Sequence, residues 1–209
     1  LLPYFVLLIL ELIEGEVGWK WVTYMALLVL GINLNGGFHF VNWILLFLLL
    51  LGLTSRRYLA PALMAIMYSV LVSLPRILPA AMEFGAEGRS FISGFFSISD
   101  MISAFVTLKP PEQALSGMNS ALGWWEVDTY AGALGFVFLL VFGIYSPLQS
   151  SGKEATDYRR LMGAMLMMAV LSLGKVFQPI TMLPIPLANA ERVSSRFIIV
   201  PVVILIVLA

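Results

Sequence analysis

AAMEFGAEGRSFISGFFSISDMISAFVTLKPPEQALSGMNSALGWWEVD, residues 80–128, is the long polar passage of an otherwise apolar chain. It carries eight charged residues, whereas the whole chain has 12 basic and 12 acidic ones. Continuous apolar runs flank the passage on both sides. Long apolar runs cross membranes as helices, and exposed loops do not enter the hydrocarbon region. We therefore expect residues 80–128 to fold as a loop against one face of a bilayer.

Composition argues against an ordinary soluble domain. Hydrophobic residues make up 60% of the 209-residue chain and charged residues 11%, against about 25% charged in typical soluble domains. The net charge is zero, so no basic surface suggests nucleic acid. The chain has no cysteine and one histidine, which argues against disulfides and against thiolate or histidine metal sites. An integral membrane protein without nucleic-acid partners is the class that remains.

Seven apolar runs predict membrane-spanning helices, because a spanning helix needs about 20 mainly apolar residues. Each run is continuously apolar rather than alternating, which favours helices over strands. The predicted fold is all-α: a polytopic bundle of about seven transmembrane segments with one long outer loop. The runs cover residues 1–13, 21–34, 38–53, 58–79, 129–145, 158–174 and 197–209.

These runs divide the chain into three parts. Residues 1–79 hold the first four helices, residues 80–128 the loop, and residues 129–209 the last three helices. The chain begins and stops inside apolar sequence and does not start with Met. We expect it to be a piece of a longer protein, with its first and last helices truncated.

Helix parity assigns the loops to two sides of the membrane. The turns after the first, third and fifth runs share one face, and two of them hold basic pairs: Arg56 with Arg57, and Arg159 with Arg160. Basic residues in short loops favour the cytoplasmic side. We therefore predict that residues 80–128 and 175–196 lie together on the outer face.

Inside the long loop, apolar residues recur at helical spacing over residues 97–108. This pattern predicts a short amphipathic helix in the membrane interface, begun by Ser97 or Ser99 as its N-cap. Its role would be packing or membrane contact rather than catalysis. The apolar positions are Ile98, Met101, Ile102, Phe105 and Leu108.

Three arginines on the predicted outer face are candidates for binding a lipid phosphate. Arg76 lies between two prolines that loosen the outer end of the fourth helix. Arg192 and Arg196 are four residues apart and would share one face of the last helix if that helix begins early enough. Guanidinium forks bind phosphate in bidentate fashion, so we predict that the three converge on one outer cavity. The alternatives are snorkelling to headgroups and, for the last two, pairing with Glu191.

Three polar residues at predicted helix starts are candidates for contact with a substrate. His39 opens the third helix, and Glu126 and Asp128 precede the fifth. A lone histidine in such a place is also readily satisfied by local contacts. Carboxylates at a helix start also favour the positive end of the helix dipole, so capping is the alternative for Glu126 and Asp128.

Five short motifs resemble the later part of bacterial GT-C-type membrane glycosyltransferases, including mannosyltransferase-like members. They are GGFH at 36–39, RR at 56–57, LPRILP at 74–79, WEVDTYAG at 125–132 and ERVSSRF at 191–197. The resemblance implies an enzyme of the bacterial inner membrane that transfers a sugar from a polyprenyl-phosphate donor at the outer face. It implies a donor-phosphate or acceptor role for Arg76, Arg192 and Arg196, with the outer loop covering the site.

In that family the catalytic carboxylate lies in the first outer loop, which we expect to lie outside this chain. The resemblance leaves metal dependence, cofactor, sugar and acceptor open. A second interpretation is a non-catalytic transmembrane subunit whose helices pack against neighbouring membrane chains and lipids. A transporter is a weaker third, because no acidic residue lies in the middle of a predicted helix to couple ions.

Overall fold

The computed structural model describes residues 1–15, 17–84, 91–109, 127–149, 152–182 and 191–209. At 80–84 and 153–154 it describes the backbone alone. This part of the chain folds as helices joined by loops. Within these ranges there is no β-sheet. Two isolated parallel bridges join Ser93 to Val193 and Phe95 to Leu173. The all-α prediction is confirmed. The chain divides into two compact units, Leu1–Glu87 with Pro147–Leu166, and Gly88–Ser146 with Met167–Ala209.

Four helices form most of the first unit. They are α1 (Leu2–Glu14), α2 (Trp19–Leu34), α3 (Phe38–Thr54) and α4 (Arg56–Phe84). Both α2 and α3 pack against α4, and α1 packs against α2. The predicted runs match these helices to within a few residues, except that α4 continues through Pro75 and Pro79 to Phe84. The helix is therefore continuous across both prolines.

The buried face of α4 explains how closely its neighbours approach. Its buried side chains recur every three or four residues and, after Tyr58, are small: Ala62, Ala65, Ser69 and Ser73. Small side chains let helix backbones pack closely. A Cβ built on Gly52 of α3 would lie 3.2 Å from the Cβ of Ala62. The opposite face of α4 is apolar and exposed.

The second unit contains α5 (Ile98–Val106), α6 (Gly132–Phe138), α9 (Gly174–Thr181) and α10 (Ile199–Leu208). A π-helical stretch, Leu139–Tyr145, continues α6. The next element in the chain is α7 (Ser146–Gln149), which belongs to the first unit from Pro147 onward. A 3-10 turn, Ser194–Ile198, leads into α10. Helix α8 (Lys153–Leu171) contributes its first part to the first unit and its last residues to the second.

Helix α5 confirms the short helix that the spacing predicts; its place in a membrane interface stays a prediction. Ser97 is its N-cap, and its Oγ accepts a hydrogen bond from the Asp100 backbone N–H at 3.1 Å. Phe105 is buried in a cluster with Phe95, Val127 and Ile198. On the other flank Ile98, Ile102 and Leu108 are exposed. The predicted apolar stripe is therefore divided between the unit's own core and its surface.

Two helices are long and apolar enough to cross a membrane, Arg56–Pro79 and Gly132–Gln149. Only 28% of the first span and 11% of the second is buried, so neither is a core helix enclosed by its own chain. Three shorter apolar helices, Trp19–Leu34, Phe38–Thr54 and Ser194–Leu208, fall below that length. Two of the seven predicted segments thus reach spanning length among the described residues.

Candidate functional site

Three loop segments of the second unit meet at one place, which we call the loop junction: residues 92–95, 172–174 and 192–194. Main-chain hydrogen bonds join the first segment to both others. They run from Phe95 N to Ser172 O (3.0 Å), Gly174 N to Phe95 O (2.9 Å), Ile92 N to Arg192 O (2.9 Å) and Ser194 N to Ser93 O (2.9 Å). Parts of the long loop and of residues 175–196 therefore lie side by side. That both passages lie on one membrane face stays a prediction.

Two glycines allow the backbones of the loop junction to touch. A Cβ added to Gly94 would lie 2.6 Å from the backbone N of Gly174 and would also meet Ser194 Oγ. A Cβ added to Gly174 would lie 2.9 Å from Gly94 N. No side chain larger than hydrogen fits at Gly94 unless backbone moves, so the junction depends on the glycine pair.

A cleft of about 240 Å³ opens beside the loop junction. Its polar side chains are Ser93 and, one turn apart on α9, Lys175 and Gln178. The Lys175 ammonium lies 4.0 Å from the centre of the Phe96 ring, a cation–π contact. The remaining lining is aromatic, aliphatic or glycine: Phe91, Ile92, Gly94, Phe95, Phe96 and Gly174. Such a cleft offers aromatic surface, one amide and one cation to a small anionic ligand.

Arg192 and Arg196 do not share a helix face. Arg192 lies at a bend before the 3-10 turn, because Val193 is extended where it pairs with Ser93. Its side chain is exposed, and its carbonyl accepts hydrogen bonds from two residues that line the cleft. Arg196 lies within the turn and is half-buried. The last helix therefore does not begin early enough to place this pair on one face. Arg192 lies in the loop junction, and Arg196 follows two residues after it.

Arg76 belongs to the other unit. It lies on α4 with its side chain exposed. Arg192 and Arg196 are in the second unit. Convergence of the three arginines on one cavity stays a prediction.

The candidate substrate residues have local contacts. His39 is half-buried at the start of α3, and its ring centre lies 6.2 Å from that of Phe38 and 6.3 Å from that of Trp43. Asp128 is exposed, and its Oδ1 accepts a hydrogen bond from the Tyr130 N–H at 3.0 Å. Since α6 begins at Gly132, Asp128 closes a turn ahead of that helix. Glu126 lies outside the described residues.

A second polar cluster, the Asp157 cluster, lies in the first unit and consists of Asp157, Tyr58, Arg57 and Arg160. The Tyr58 hydroxyl donates to Asp157 Oδ1 at 2.6 Å, and Arg160 Nη1 donates to the same oxygen at 3.0 Å. Arg57 Nη1 lies 3.4 Å from Oδ2, and its Nη2 lies 3.3 Å from the Glu14 carbonyl oxygen. One buried carboxylate thus ties the end of α1 and the start of α4 to α8.

The Asp157 cluster brings one arginine of each basic pair together at one end of the first unit. Their common membrane face stays a prediction. Gly15 completes the arrangement, because it ends α1 in a left-handed conformation (φ 96°) and a Cβ there would meet the Arg57 guanidinium. Sequence reasoning found the arginines but missed Asp157 and Tyr58. The available signal was Asp157 itself, an acid three residues before Arg160 in a mostly apolar chain.

Within the described ranges, no group of three or more acidic or histidine side chains is arranged to hold a metal ion. Comparisons with protein-family models, with curated proteins and with solved structures found no match to the chain. The geometry of the chain therefore carries the functional argument.

Proposed function

We propose that the chain is a multi-pass integral membrane protein. The supporting observation is the apolar surface of its two longest helices. Leu134 on α6 is 88% exposed and Met67 on α4 is 65% exposed, and both are flanked by further exposed apolar residues. A soluble monomer rarely exposes so large a contiguous apolar surface. Lipid would cover these faces.

We further propose that the protein is a glycosyltransferase that takes its sugar from a polyprenyl-phosphate donor at the outer face of a bacterial inner membrane. The observation that carries this proposal is the cleft beside the loop junction. Its volume of about 240 Å³ is below the ~300–1,000 Å³ of sites for drug-sized ligands. A sugar or phosphate headgroup suits this size, and the polyprenyl chain would remain in lipid.

Different cleft residues would contact the phosphate and the sugar of such a headgroup. Lys175 would attract the phosphate, while Gln178 can both donate to and accept from sugar hydroxyls. Arg192 would add a guanidinium fork, and Arg196 a further cation. The residues of the long loop would cover the bound donor.

In the proposed reaction the bond between the anomeric carbon and the phosphate oxygen breaks, and the polyprenyl phosphate leaves. A hydroxyl oxygen of the acceptor forms the new glycosidic bond to that carbon. Its proton passes to a carboxylate base. The residues of the cleft would bind and orient the donor rather than transfer the proton.

The test is donor binding and sugar transfer by the full-length protein in vesicles, using a radiolabelled polyprenyl-phosphate sugar. We expect Lys175→Ala and Arg192→Ala each to weaken donor binding about tenfold, the effect of losing one charged hydrogen bond. Arg192→Lys keeps the charge but loses the fork, so binding should fall by less. Lys20→Ala, which removes an exposed lysine of α2, is the matched control. Unchanged binding in the cleft variants would reject the cleft as the donor site.

A non-catalytic transmembrane subunit is the second candidate, and the exposed Gly132–Gln149 helix favours it. With only 11% of this span buried, a neighbouring chain could cover it in place of lipid. Purification in mild detergent distinguishes the two functions. A stoichiometric membrane partner that crosslinks at Leu134, together with no donor binding, would support the subunit.

A further inference from the structure

Four arginines lie at the end of the first unit that holds the Asp157 cluster: Arg56, Arg57, Arg159 and Arg160. Asp157 is 6% exposed and is the one carboxylate seen to contact Arg57 and Arg160. Arg56 and Arg159, next to them in the sequence, are exposed, and no ion pair is recorded for either among the described residues. Among the described residues, Asp157 thus contacts two of these four neighbouring arginines.

Asp157 also holds two of these arginines in place. The side chains of Arg57 and Arg160 remain 35% and 34% exposed while bonded to Asp157. Their guanidinium carbons lie 5.7 and 5.8 Å from the centre of the Tyr58 ring. Each guanidinium carries five N–H groups, of which the recorded contacts use two on Arg57 and one on Arg160. The pair is therefore fixed in position and still able to donate hydrogen bonds to an anion.

An apolar stripe leads away from these arginines along α4. Exposed positions follow Arg56 at helical spacing, at Ala60, Leu63, Met67 and Leu71. From Arg56 to Met67 the helix rises about 17 Å, which is close to half of the ~30 Å hydrocarbon thickness of a bilayer. The N-terminus of α4 also carries the positive end of the helix dipole. The arginine complements the negative charge of a phospholipid headgroup, and the apolar stripe that follows is about as long as the acyl chains of one leaflet.

We propose that Arg56, Arg57 and Arg160 bind the phosphate of an anionic phospholipid whose acyl chains lie along the exposed stripe of α4. The site rests on the proposed membrane location and is separate from the donor cleft, since its residues belong to the other unit. The phosphate offsets the repulsion between the guanidiniums, and the stripe selects a lipid over a free anion. The bound lipid would link the start of α4 to α8 at the membrane surface.

The test uses the chain in vesicles of phosphatidylcholine with a minor fraction of phosphatidylglycerol. Electron spin resonance of spin-labelled lipids measures the preference of the protein for phosphatidylglycerol. We expect Arg56→Gln to reduce that preference about tenfold, the effect of losing one charged hydrogen bond. Arg56→Lys should lose less. Lys20→Gln, which removes an exposed cation at the start of α2, should leave the preference unchanged.

Two further arms separate the alternatives. Leu63→Asn with Met67→Asn should weaken lipid retention, and excess inorganic phosphate should not displace the lipid. Displacement by inorganic phosphate would overturn the lipid assignment in favour of a free-anion site. An equal loss of phosphatidylglycerol preference in Arg56→Gln and Lys20→Gln would attribute the preference to general surface charge and contradict a specific site. Resistance of the protein to carbonate extraction from the vesicles checks the membrane location separately.

Discussion

The two units of this chain are held together in different ways. In the first, long helices pack through small side chains, and one buried carboxylate joins α1, α4 and α8 at a common end. In the second, short helices surround loops that bond main chain to main chain and touch at paired glycines. The first unit therefore depends on the carboxylate of Asp157. The second depends on the absence of side chains at Gly94 and Gly174.

Removing the central carboxylate should give the largest effect. Asp157→Ala leaves Tyr58, Arg57 and Arg160 without their common acceptor. Breaking a buried ion pair costs about 3–5 kcal/mol, and the partial exposure of both arginines places the expected loss near 3 kcal/mol. Chemical unfolding in detergent micelles measures it. Glu14→Ala is the control, because Arg57 bonds only the backbone carbonyl of Glu14 in the recorded contacts. Equal stability of the two variants would show that Asp157 does not organise this end.

The matching experiment in the second unit adds a methyl group. Gly94→Ala forces apart the backbones at residues 94 and 174, and overpacking of this kind costs about 1–3 kcal/mol. We expect a loss of about 2 kcal/mol in the free energy of unfolding. Gly135→Ala is the control, since its nearest neighbour would be Ala131 Cβ at 3.4 Å, and it should be neutral or stabilising. An unchanged free energy of unfolding in Gly94→Ala would mean that the loop junction is less closely packed than described.

The smallest effect concerns the start of α5. Ser97→Ala removes the N-cap hydroxyl that accepts from the Asp100 N–H, at a cost of about 1 kcal/mol. Ser99→Ala removes an exposed hydroxyl two residues further along the chain and should change stability little. Helicity of the variants by circular dichroism and their unfolding midpoints distinguish the two serines. Equal losses would assign no special role to Ser97.

The helices were predictable because continuous apolar runs and the turns between them are local properties of the sequence. The common end of the two basic pairs followed from helix parity alone. What sequence could not supply was pairing over distance: Tyr58 lies inside an apolar run, and its partner Asp157 is 99 residues away. Gly94 and Gly174 gave no signal either, because a glycine in a loop does not reveal which backbone it must admit.

The arginines near the end of the chain show the same limit. Spacing of four residues predicts a shared helix face only when both residues are helical. Here Val193 is extended, because its backbone pairs with Ser93, and the helical turn begins at Ser194. The contact of Val193 with Ser93, a residue a hundred positions earlier in the sequence, thus decides where the last helix starts.

The central claim is that lipid covers the exposed apolar faces of α4 and α6, and spin labels can test it directly. The chain has no cysteine, so single labels at Met67→Cys and Leu134→Cys are unambiguous, with Glu14→Cys as the water-exposed control. In vesicles we expect relaxation of the labels at Met67 and Leu134 by oxygen but not by a water-soluble nickel complex, and the reverse at Glu14. Relaxation by the nickel complex at both Met67 and Leu134 would contradict the membrane account.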